Sequence, residues 1–367
     1  MTVLVALWQI ASSMPLRAAT LYWDTDGSTT LNNIDGTNIG GTGTWDISTS
    51  NWWNLSSLTT WPNTNVDHAI FTGTPGTVTL TPGITANRLT FQSSGYVLNG
   101  GALTLAGATP TIHANTATTA TFNTQILGAG GLTKTGAGTV RLGNATNAYT
   151  GVTTISNGTL VITNPGALGV DTSTVVVAGV VNTATLFLAG WYNTGMNFTR
   201  NLTISGGGSG GGAAGAAVNG VAMVSTGDNT LSGTLTAIPG VGTTNTGVTS
   251  VFGLLTLGDV VAGGTSGTNF TTFGSANSIG SYALTGALSG TGSIQKAGSG
   301  TLILEPTTST GFSGTIRIAT GSLRISSAAS LGTNAGTTTA STLELNGGTL
   351  EVRSDAATVA TGKNVYL

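Results

Sequence analysis

The chain has 367 residues, of which 58 are glycine and 6% are charged, with a formal net charge of -2 and no cysteine. Ten Lys and Arg residues, spread singly, cannot form the basic surface that nucleic acid requires, so no nucleic-acid partner is expected, and the missing cysteines exclude disulfides and thiolate chemistry. A hydrophobic share of 39% excludes a disordered chain, because it supplies enough apolar surface for a core.

Residues 1–19 form the first predicted element, and they resemble an export signal. An apolar run at residues 3–10 is followed by polar residues and then by Ala18 and Ala19, small residues of the kind found before a cleavage site. No Lys or Arg precedes the run, and the alternative interpretation is a buried first strand. The run is too short to span a membrane, which takes ~20 apolar residues, and no later segment is long enough.

Residues 20–99 form a second predicted region with five of the seven tryptophans. We expect the aromatic rings to form a cap that covers an open sheet edge, together with the first turns of the fold. The alternative is a carbohydrate platform, in which exposed tryptophan rings stack on sugars. On that alternative the candidate glycan contacts are Trp45, Trp52, Trp53 and Trp61.

An acidic cluster, Asp24-Thr25-Asp26-Gly27, lies at the start of this region. Two carboxylates one residue apart beside a glycine could share a cation such as Ca²⁺. The same residues are typical of an Asp-Gly turn, and the remaining ligands of a calcium loop do not follow. We therefore expect a turn and no metal site.

Residues 100–367 contain one segment twice, at 128–162 and at 290–325. Corresponding positions are 162 residues apart in the first half of the segment and 163 apart in the second half. Such internal repetition is typical of solenoid proteins. The positions that recur, and that we predict to be structural, are Lys134, Gly136, Gly138, Tyr149, Gly158 and Leu160 in the first copy, and Lys296, Gly298, Gly300, Phe312, Gly321 and Leu323 in the second.

A shorter unit recurs within and between these copies: a glycine, a small residue and then two apolar residues that flank one free position. Examples are GTVRL at 138–142, GTLVI at 158–162 and GSLRI at 321–325, and units of this kind start 20 to 27 residues apart. Each unit predicts one short strand whose alternate residues face inward. Val140, Leu142, Leu323, Ile325, Leu350 and Val352 are then predicted to face inward, and Arg141, Arg324 and Glu351 outward.

Stacking such strands one rung on the next produces a continuous core and pairs the backbone groups sideways. No stretch has the 3.6-residue apolar period of a helix. The residues therefore predict an all-β parallel β-helix.

The segments that begin GGLTKTGAGTV and GSIQKAGSGTL resemble the autotransporter-associated β-strand repeat, also called the passenger-associated transport repeat. The resemblance covers Lys134 and Lys296, Tyr149 and Phe312, and Leu160 and Leu323. It implies a right-handed parallel β-helix that serves as the passenger of a Gram-negative surface protein, secreted by an autotransporter route or held at the envelope. The membrane barrel of such proteins is not visible in this sequence.

Candidate catalytic residues are sparse. Enzymes with this architecture need clustered acidic groups, but the glutamates, Glu305, Glu344 and Glu351, stand singly beside strands. His68 and His113 stand alone, so we expect no metal and no cofactor. The run at residues 206–217 is predicted to be a flexible surface loop, since no phosphate-loop Lys follows it.

These observations favour a structural or adhesive protein of the cell surface or extracellular space, with no catalysis. The first alternative is a surface protein that binds polysaccharide through the tryptophan region, and the second is a polysaccharide lyase or glycosidase. The expected partners are surface polysaccharide, a host or neighbouring cell surface, or another copy joined end to end.

Two further expectations concern particular segments. Lys134 and Lys296 are predicted to occupy equivalent turns, where their removal would leave the fold intact. Residues 361–365 parallel residues 194–198 at an offset of 167, and a strand follows the earlier segment. We therefore expect the chain to continue beyond Leu367 with further repeats and an anchoring domain.

Overall fold

The computed structural model describes residues 18–170, 174–178, 183–190, 195–205, 221–239, 245–264, 269–304, 311–332, 342–353 and 364–366. Within these ranges the chain forms 37 β-strands and two short 3-10 helices. The signal-like residues 1–17, the glycine-rich run at 206–217 and Glu305 lie outside the described residues. No described helix has the length and apolar character of a membrane span.

The strands before residue 128 are β1 (Thr20–Trp23), β2 (Gly43–Trp45), β3 (Trp52–Trp53), β4 (Leu58–Thr59), β5 (His68–Phe71), β6 (Thr77–Leu80), β7 (Ile84–Ala86), β8 (Arg88–Phe91), β9 (Tyr96–Gly100), β10 (Leu103–Leu105), β11 (Thr111–Ala114), β12 (Thr119–Phe122) and β13 (Ile126–Leu127). The next elements are β14 (Leu132–Thr135), β15 (Thr139–Leu142), β16 (Thr153–Ile155), β17 (Gly158–Ile162), the 3-10 helix η1 (Pro165–Leu168), β18 (Val175–Ala178), β19 (Ala184–Ala189), β20 (Asn197–Phe198), β21 (Leu202–Ser205), β22 (Val221–Thr226), β23 (Asn229–Leu231), β24 (Leu235–Ile238), β25 (Thr246–Phe252), β26 (Leu254–Leu257), β27 (Val260–Ala262), β28 (Phe270–Phe273), β29 (Ser281–Leu284) and β30 (Leu288–Ser289). The last are β31 (Ser293–Lys296), β32 (Thr301–Leu304), β33 (Ile316–Ile318), β34 (Ser322–Ile325), the 3-10 helix η2 (Ala328–Leu331), β35 (Thr342–Leu345), β36 (Thr349–Val352) and β37 (Asn364–Tyr366).

These strands stack into three sides of a parallel β-helix. Face 1 is a 13-stranded sheet that runs from β4 at one end to β30 at the other, and face 2 is a 14-stranded sheet from β2 to β37. Face 3 comprises a three-stranded sheet (β7, β10, β13) and a seven-stranded sheet that starts at β20 and ends at β36. From β5 to β13 and from β18 to β32, successive strands lie on faces 1, 2 and 3 in turn. The predicted all-β parallel β-helix is therefore confirmed, while its right-handedness stays a prediction.

The alternation of small polar and aliphatic residues explains the core. In β15 the side chains of Val140 and Leu142 are fully buried while Arg141 is exposed. Leu323 and Ile325 in β34 are likewise fully buried, as predicted from the two-residue period. In β36 the same pattern is weaker, because Leu350 is only partly buried and Val352 is 44% exposed.

The N-terminal end departs from the parallel pattern. Strands β1, β3 and β4 pair antiparallel, so β3 and β4 extend face 1 beyond its first parallel strand. Trp61 and Asn63 cover the start of face 3: the Trp61 indole donates to the Thr85 carbonyl (2.9 Å), and the Asn63 side chain accepts from the Thr85 N–H (2.7 Å). Side-chain bonds thus satisfy backbone groups of the edge strand β7, which would otherwise be open for pairing.

The two repeats occupy different sides of the helix. In the first, strands β14 and β16 lie on face 1 and strands β15 and β17 on face 2. In the second, the corresponding strands β31 and β33 lie on face 2, and β32 and β34 on face 3. The second repeat is therefore advanced by one face. Of the segments 194–198 and 361–365 that were predicted to correspond, the structure describes 195–198 and 364–365, with β20 on face 3 and β37 on face 2, and their correspondence stays a prediction.

Candidate functional site

The Lys134 side chain points into the core of the first repeat. It follows Leu132 at the two-residue spacing of β14, so both side chains face inward, and Lys134 is fully buried. Its Nζ donates to the carbonyls of Thr135 (2.8 Å) and Gly136 (2.8 Å) in its own rung. It also donates to the Asn157 carbonyl (3.0 Å) in the next rung. One ammonium therefore binds a corner of one rung to the corner above it.

Lys296 bonds to the carbonyls of its own corner in the second repeat, as Lys134 does in the first. It is 1% exposed at the end of β31, and its Nζ donates to the carbonyls of Ala297 and Gly298, the latter at 2.8 Å. Both lysines were expected in turns where their removal would leave the fold intact. Their placement in turns is wrong, because both lie in strands, face inward and bond to corner carbonyls. From these bonds we now expect the removal of either lysine to destabilise the fold.

A glycine of the following rung lies against each lysine. A Cβ added to Gly158 would lie 2.8 Å from the Lys134 Nζ, and one added to Gly321 would lie 2.9 Å from the Lys296 Nζ. Both glycines have φ near +70°, at 70° and 72°, a conformation that side chains other than glycine rarely adopt. The lysine and the glycine two or three strands later are therefore one structural unit, which explains why both recur in the repeat.

Burial controls the electrostatics of these lysines. It lowers the pKa of Lys134 to about 7 and that of Lys296 to about 8. Among the described residues no carboxylate forms an ion pair with either amine. An ammonium has three N–H donors, which match the three carbonyls around Lys134. The site is built to hold a donor in place and offers no substrate access to it.

The two repeats differ at one pair of buried positions, where the first repeat has polar side chains and the second has apolar ones. In the first repeat the Tyr149 hydroxyl and the Thr153 hydroxyl share a hydrogen bond of 2.8 Å, and both residues are fully buried. In the second repeat the corresponding residues are Phe312 and Ile316, also buried. Both polar partners are replaced together, so at these two positions neither repeat leaves a buried hydroxyl without its partner.

The tryptophan region is a core and not a platform. Trp45 and Trp52 are fully buried, Trp61 is 1% exposed and Trp53 is 7% exposed. The rings of Trp45, Trp52 and Trp61 contact one another with centroid separations of 4.6 to 5.0 Å. The alternative of sugar contact has no support at Trp45, Trp52 and Trp61, because rings that pack in the core leave no face on which a sugar can stack. Trp53 lies outside this core cluster, against the Tyr22 ring.

The carboxylates of the acidic cluster accept hydrogen bonds from residues close to them in the chain. Asp24 is buried and accepts a hydrogen bond from the Asn32 side chain (2.6 Å), while the Asp26 carboxylate accepts from the Ser28 N–H (2.7 Å) in a turn where Gly27 has φ 76°. Burial is the main reason that the pKa of Asp24 is raised. No group of three His, Asp or Glu side chains comes together within the residues described.

Two of the predicted outward charges, Arg324 and Glu351, form an ion pair between rungs (2.9 Å), and a second such pair joins Arg317 and Glu344 (2.6 Å). His68 shares a hydrogen bond of 2.8 Å with the Thr90 hydroxyl, and burial lowers its pKa to about 4. Each of these groups has a structural partner.

Sequence reasoning missed the burial of the two lysines. The signal was present, because Leu132 and Lys134 share the inward side of one strand, as Ile294 and Lys296 do. Asn147 was also missed: its side chain accepts from the Ile126 N–H and donates to the Ala167 carbonyl, both at 2.7 Å, and so joins three successive rungs. A single Asn in a Thr- and Asn-rich chain gives no sequence signal of this kind.

Comparisons with known proteins agree with the repeat. Residues 132–162 and 294–325 match the family model described as Passenger-associated-transport-repeat, which confirms the resemblance drawn from the sequence. The chain is 34% identical over 212 residues to the Adhesin BmaC autotransporter of Brucella suis biovar 1 (strain 1330). The match covers 56% of this chain but 6% of that protein. No solved structure matches the chain.

Proposed function

We propose that this chain is part of an extracellular or cell-surface passenger that acts as a structural and adhesive rod without catalysis. The observation that carries the proposal is the repeat itself, whose recurring polar residues, Lys134 and Lys296, are buried and bonded to corner carbonyls, and Lys134 also bonds to the next rung. Such residues stabilise an elongated stack and leave its outer faces free for contact. The similarity to an adhesin autotransporter supports the same function.

The absence of catalysis is proposed from how the described acidic and basic groups are used. An acid-base pair needs two groups with separated pKa values facing one cleft. Here Glu344 and Glu351 are held by arginines on the outer surface, and the buried lysines face backbone carbonyls. This arrangement favours the adhesive rod over a lyase or glycosidase, and the buried tryptophans give no support to sugar binding.

Surface display tests the proposal. The chain, fused to a membrane anchor on a non-adhesive Gram-negative host, should increase attachment of the cells to host-cell layers or to inert surfaces. A displayed Leu160→Asp variant, matched for surface amount, should lose this attachment because the stack is broken. Attachment equal to that of cells without the chain would contradict the adhesive function, and turnover of a polysaccharide by the purified chain would contradict the absence of catalysis.

A further inference from the structure

The structure brings both histidines of the chain together on the outer surface of face 1. His68 in β5 is the direct pairing partner of Arg88 in β8, and Thr90, two residues further along β8, is the partner of His113 in β11. All four alternate with fully buried core residues, so their side chains point outward. With strands ~4.8 Å apart and alternate residues ~7 Å apart, the two histidines lie within ~12 Å of each other, on either side of β8. We call His68, Arg88 and His113 the basic cluster.

Both imidazole rings are held on the sheet by hydrogen bonds. The His68 Nε2 and the Thr90 hydroxyl share a hydrogen bond of 2.8 Å. His113 bonds through one ring nitrogen to the Thr135 hydroxyl (3.1 Å) and through the other to the Asn115 amide oxygen (3.0 Å). Thr90 points outward and is nevertheless only 6% exposed, as expected for a side chain between two imidazole rings. The rings therefore have fixed positions on either side of one strand.

The positive charge of this surface has no counter-charge in the part of the chain that the structure describes. There the Arg88 guanidinium is exposed and forms no ion pair and no side-chain hydrogen bond. No outward residue of the described strands β1, β5, β8, β11 and β14 is acidic, and besides the basic cluster only Tyr22 among them titrates. The Asp67 carboxylate is buried and accepts from the N–H groups of Ala19 (3.1 Å) and Thr64 (2.7 Å). The basic cluster is therefore open to an anion from another molecule.

The charges of the basic cluster repel one another. Burial is the largest cause that lowers the pKa of His68 to about 4, and the charges of Arg88 and His113 act in the same direction. Burial also lowers the pKa of His113, where the bond to Asn115 opposes the shift and the charges of Arg88 and Lys134 add to it. An anion over the cluster offsets this repulsion and raises both pKa values. Because the bound state then takes up protons, binding of an anion becomes tighter as the pH falls.

The residues that continue from the basic cluster indicate the rest of the ligand. In stacking order from Arg88, the outward pairing partners are Thr111, Thr133 and Thr154, one in each rung. Their hydroxyls can donate to and accept from the hydroxyls of a sugar. These strands are paired on both sides, so an extended peptide cannot add to the sheet as a further strand. A ligand with both anionic groups and many hydroxyls, which is an acidic polysaccharide, fits this surface better than an acidic peptide does.

We propose that the basic cluster binds the carboxylate or sulfate groups of an acidic polysaccharide whose chain runs along the threonines of face 1. This site rests on the proposed adhesive function only for its meaning on cells, since binding by the purified chain does not depend on adhesion. The Arg88 guanidinium offers two parallel N–H donors to one oxyanion, and the imidazoles add charge when they are protonated. The surface is open to solvent, so a single site binds weakly and many displayed copies together bind strongly.

Polymer binding with a matched arginine control tests the site. Binding of the full, untagged chain to immobilised dextran sulfate and polygalacturonate is measured by biolayer interferometry, with uncharged dextran as the blank. The chain has a formal net charge of -2, so it does not attract polyanions as a whole and binding requires a local cluster. Arg88→Gln should weaken binding at least about tenfold, because a charged pair of donors is lost. Arg141→Gln, at an exposed position on face 2, should change it by less than about twofold.

The pH dependence tests the two histidines separately. The native chain should bind both polymers several-fold more tightly at about pH 5 than at about pH 7.5. The His68→Gln and His113→Gln double variant should lose this difference and keep the binding that Arg88 supplies at the higher pH. Since the chain has two histidines, each gives one imidazole signal in NMR, and inorganic sulfate should raise the pKa of both in the native chain but not in Arg88→Gln.

Several results would overturn the proposal: no binding of either polymer by the native chain, equal losses in Arg88→Gln and Arg141→Gln, or histidine signals that do not respond to sulfate. Binding of polyglutamate as tight as that of polygalacturonate would overturn the polysaccharide as the ligand, and so would a response to sulfate without binding of either polymer. The display experiment separates this inference from the proposed function. Cells that attach although the purified chain binds no polyanion refute only the site, and a chain that binds the polymers but gives no attachment refutes only the adhesive function.

Discussion

The closing strands of the two repeats are alike inside and different outside. Leu160 in β17 and Leu323 in β34 are both fully buried in the core. The next residue faces outward in both, but Val161 is 1% exposed in a second apolar cluster with Phe187, whereas Arg324 is part of an ion pair at the surface. The repeat fixes the inner contacts, and the outer position follows the face on which the repeat lies.

The two repeats also differ in their position around the helix axis. The unit of buried lysine, carbonyls of its own corner and glycine recurs, yet it lies on faces 1 and 2 in the first repeat and on faces 2 and 3 in the second. The repeat therefore specifies how one rung joins the next and not the direction in which its surface points. A binding surface on this solenoid is therefore defined by the outward residues of one face and not by the residues of one repeat.

The largest expected effect comes from breaking the shared inner position. Leu160→Asp and Leu323→Asp should each lower the free energy of unfolding by more than ~4 kcal/mol, because each buries a carboxylate without a partner. Chemical denaturation followed by circular dichroism measures this. Arg141→Asp, an outward change in β15, is the control and should change it by less than ~1 kcal/mol. Equal losses from Leu160→Asp and Arg141→Asp would contradict the inward and outward assignment.

The sequence predicts this inner position and fails at the lysines, for physical reasons. Alternation alone places Leu160 and Leu323 inside, since period two is a local property of a strand. Lys134 has the same alternation, but a charged side chain is expected outside, and its burial becomes favourable through the corner carbonyls of its own rung and of the next. The second repeat is advanced by one face because of all the rungs and corners between residues 162 and 290. No local sequence pattern predicts this advance.

The next effect concerns the lysines. Lys134→Met and Lys296→Met should each lower the free energy of unfolding by about 2–4 kcal/mol, because buried carbonyls lose their donor. The loss should be larger at Lys134, which bonds to three carbonyls where Lys296 bonds to two. Denaturation midpoints of the two variants measure the difference. A Met variant more stable than the native chain would show that the buried amine lowers the free energy of unfolding, which contradicts a stabilising role for its hydrogen bonds.

A pH series sharpens this result. The folded-state pKa values of Lys134 and Lys296, about 7 and about 8, lie below the ordinary lysine value of 10.5, so between pH 8 and 10 the unfolded chain binds more protons than the folded chain. Stability should therefore rise with pH in this window, by up to ~1.4 kcal/mol per pH unit for each lysine, and level off below pH 7. The Lys134→Met and Lys296→Met double variant should lose most of this slope. A native chain whose stability is flat from pH 8 to 10 would contradict the lowered pKa values.

A smaller effect comes from exchanging the polar pair of one repeat for the apolar pair of the other. Tyr149→Phe alone should lower the free energy of unfolding by about 1–2 kcal/mol, because the buried Thr153 hydroxyl loses its partner. Adding Thr153→Ile recreates the Phe312 and Ile316 pair and should recover most of the loss. A double-mutant cycle on thermal unfolding measures the coupling. Additive losses would show that the two positions do not act as a pair.

The smallest effect is expected at the outer position where the repeats differ. Arg324→Ser removes an ion pair whose side chains are 26% and 34% exposed, and such pairs contribute less than ~1 kcal/mol. The loss should shrink further in high salt, because surface charges are screened. Val161→Ser, the same position in the first repeat, should cost more, about 1–3 kcal/mol, and its cost should not depend on salt, because a buried methyl pair is lost from the outer cluster. Equal and equally salt-dependent losses at the two positions would show that the outer surface is set by the motif after all, and not by the face on which each repeat lies.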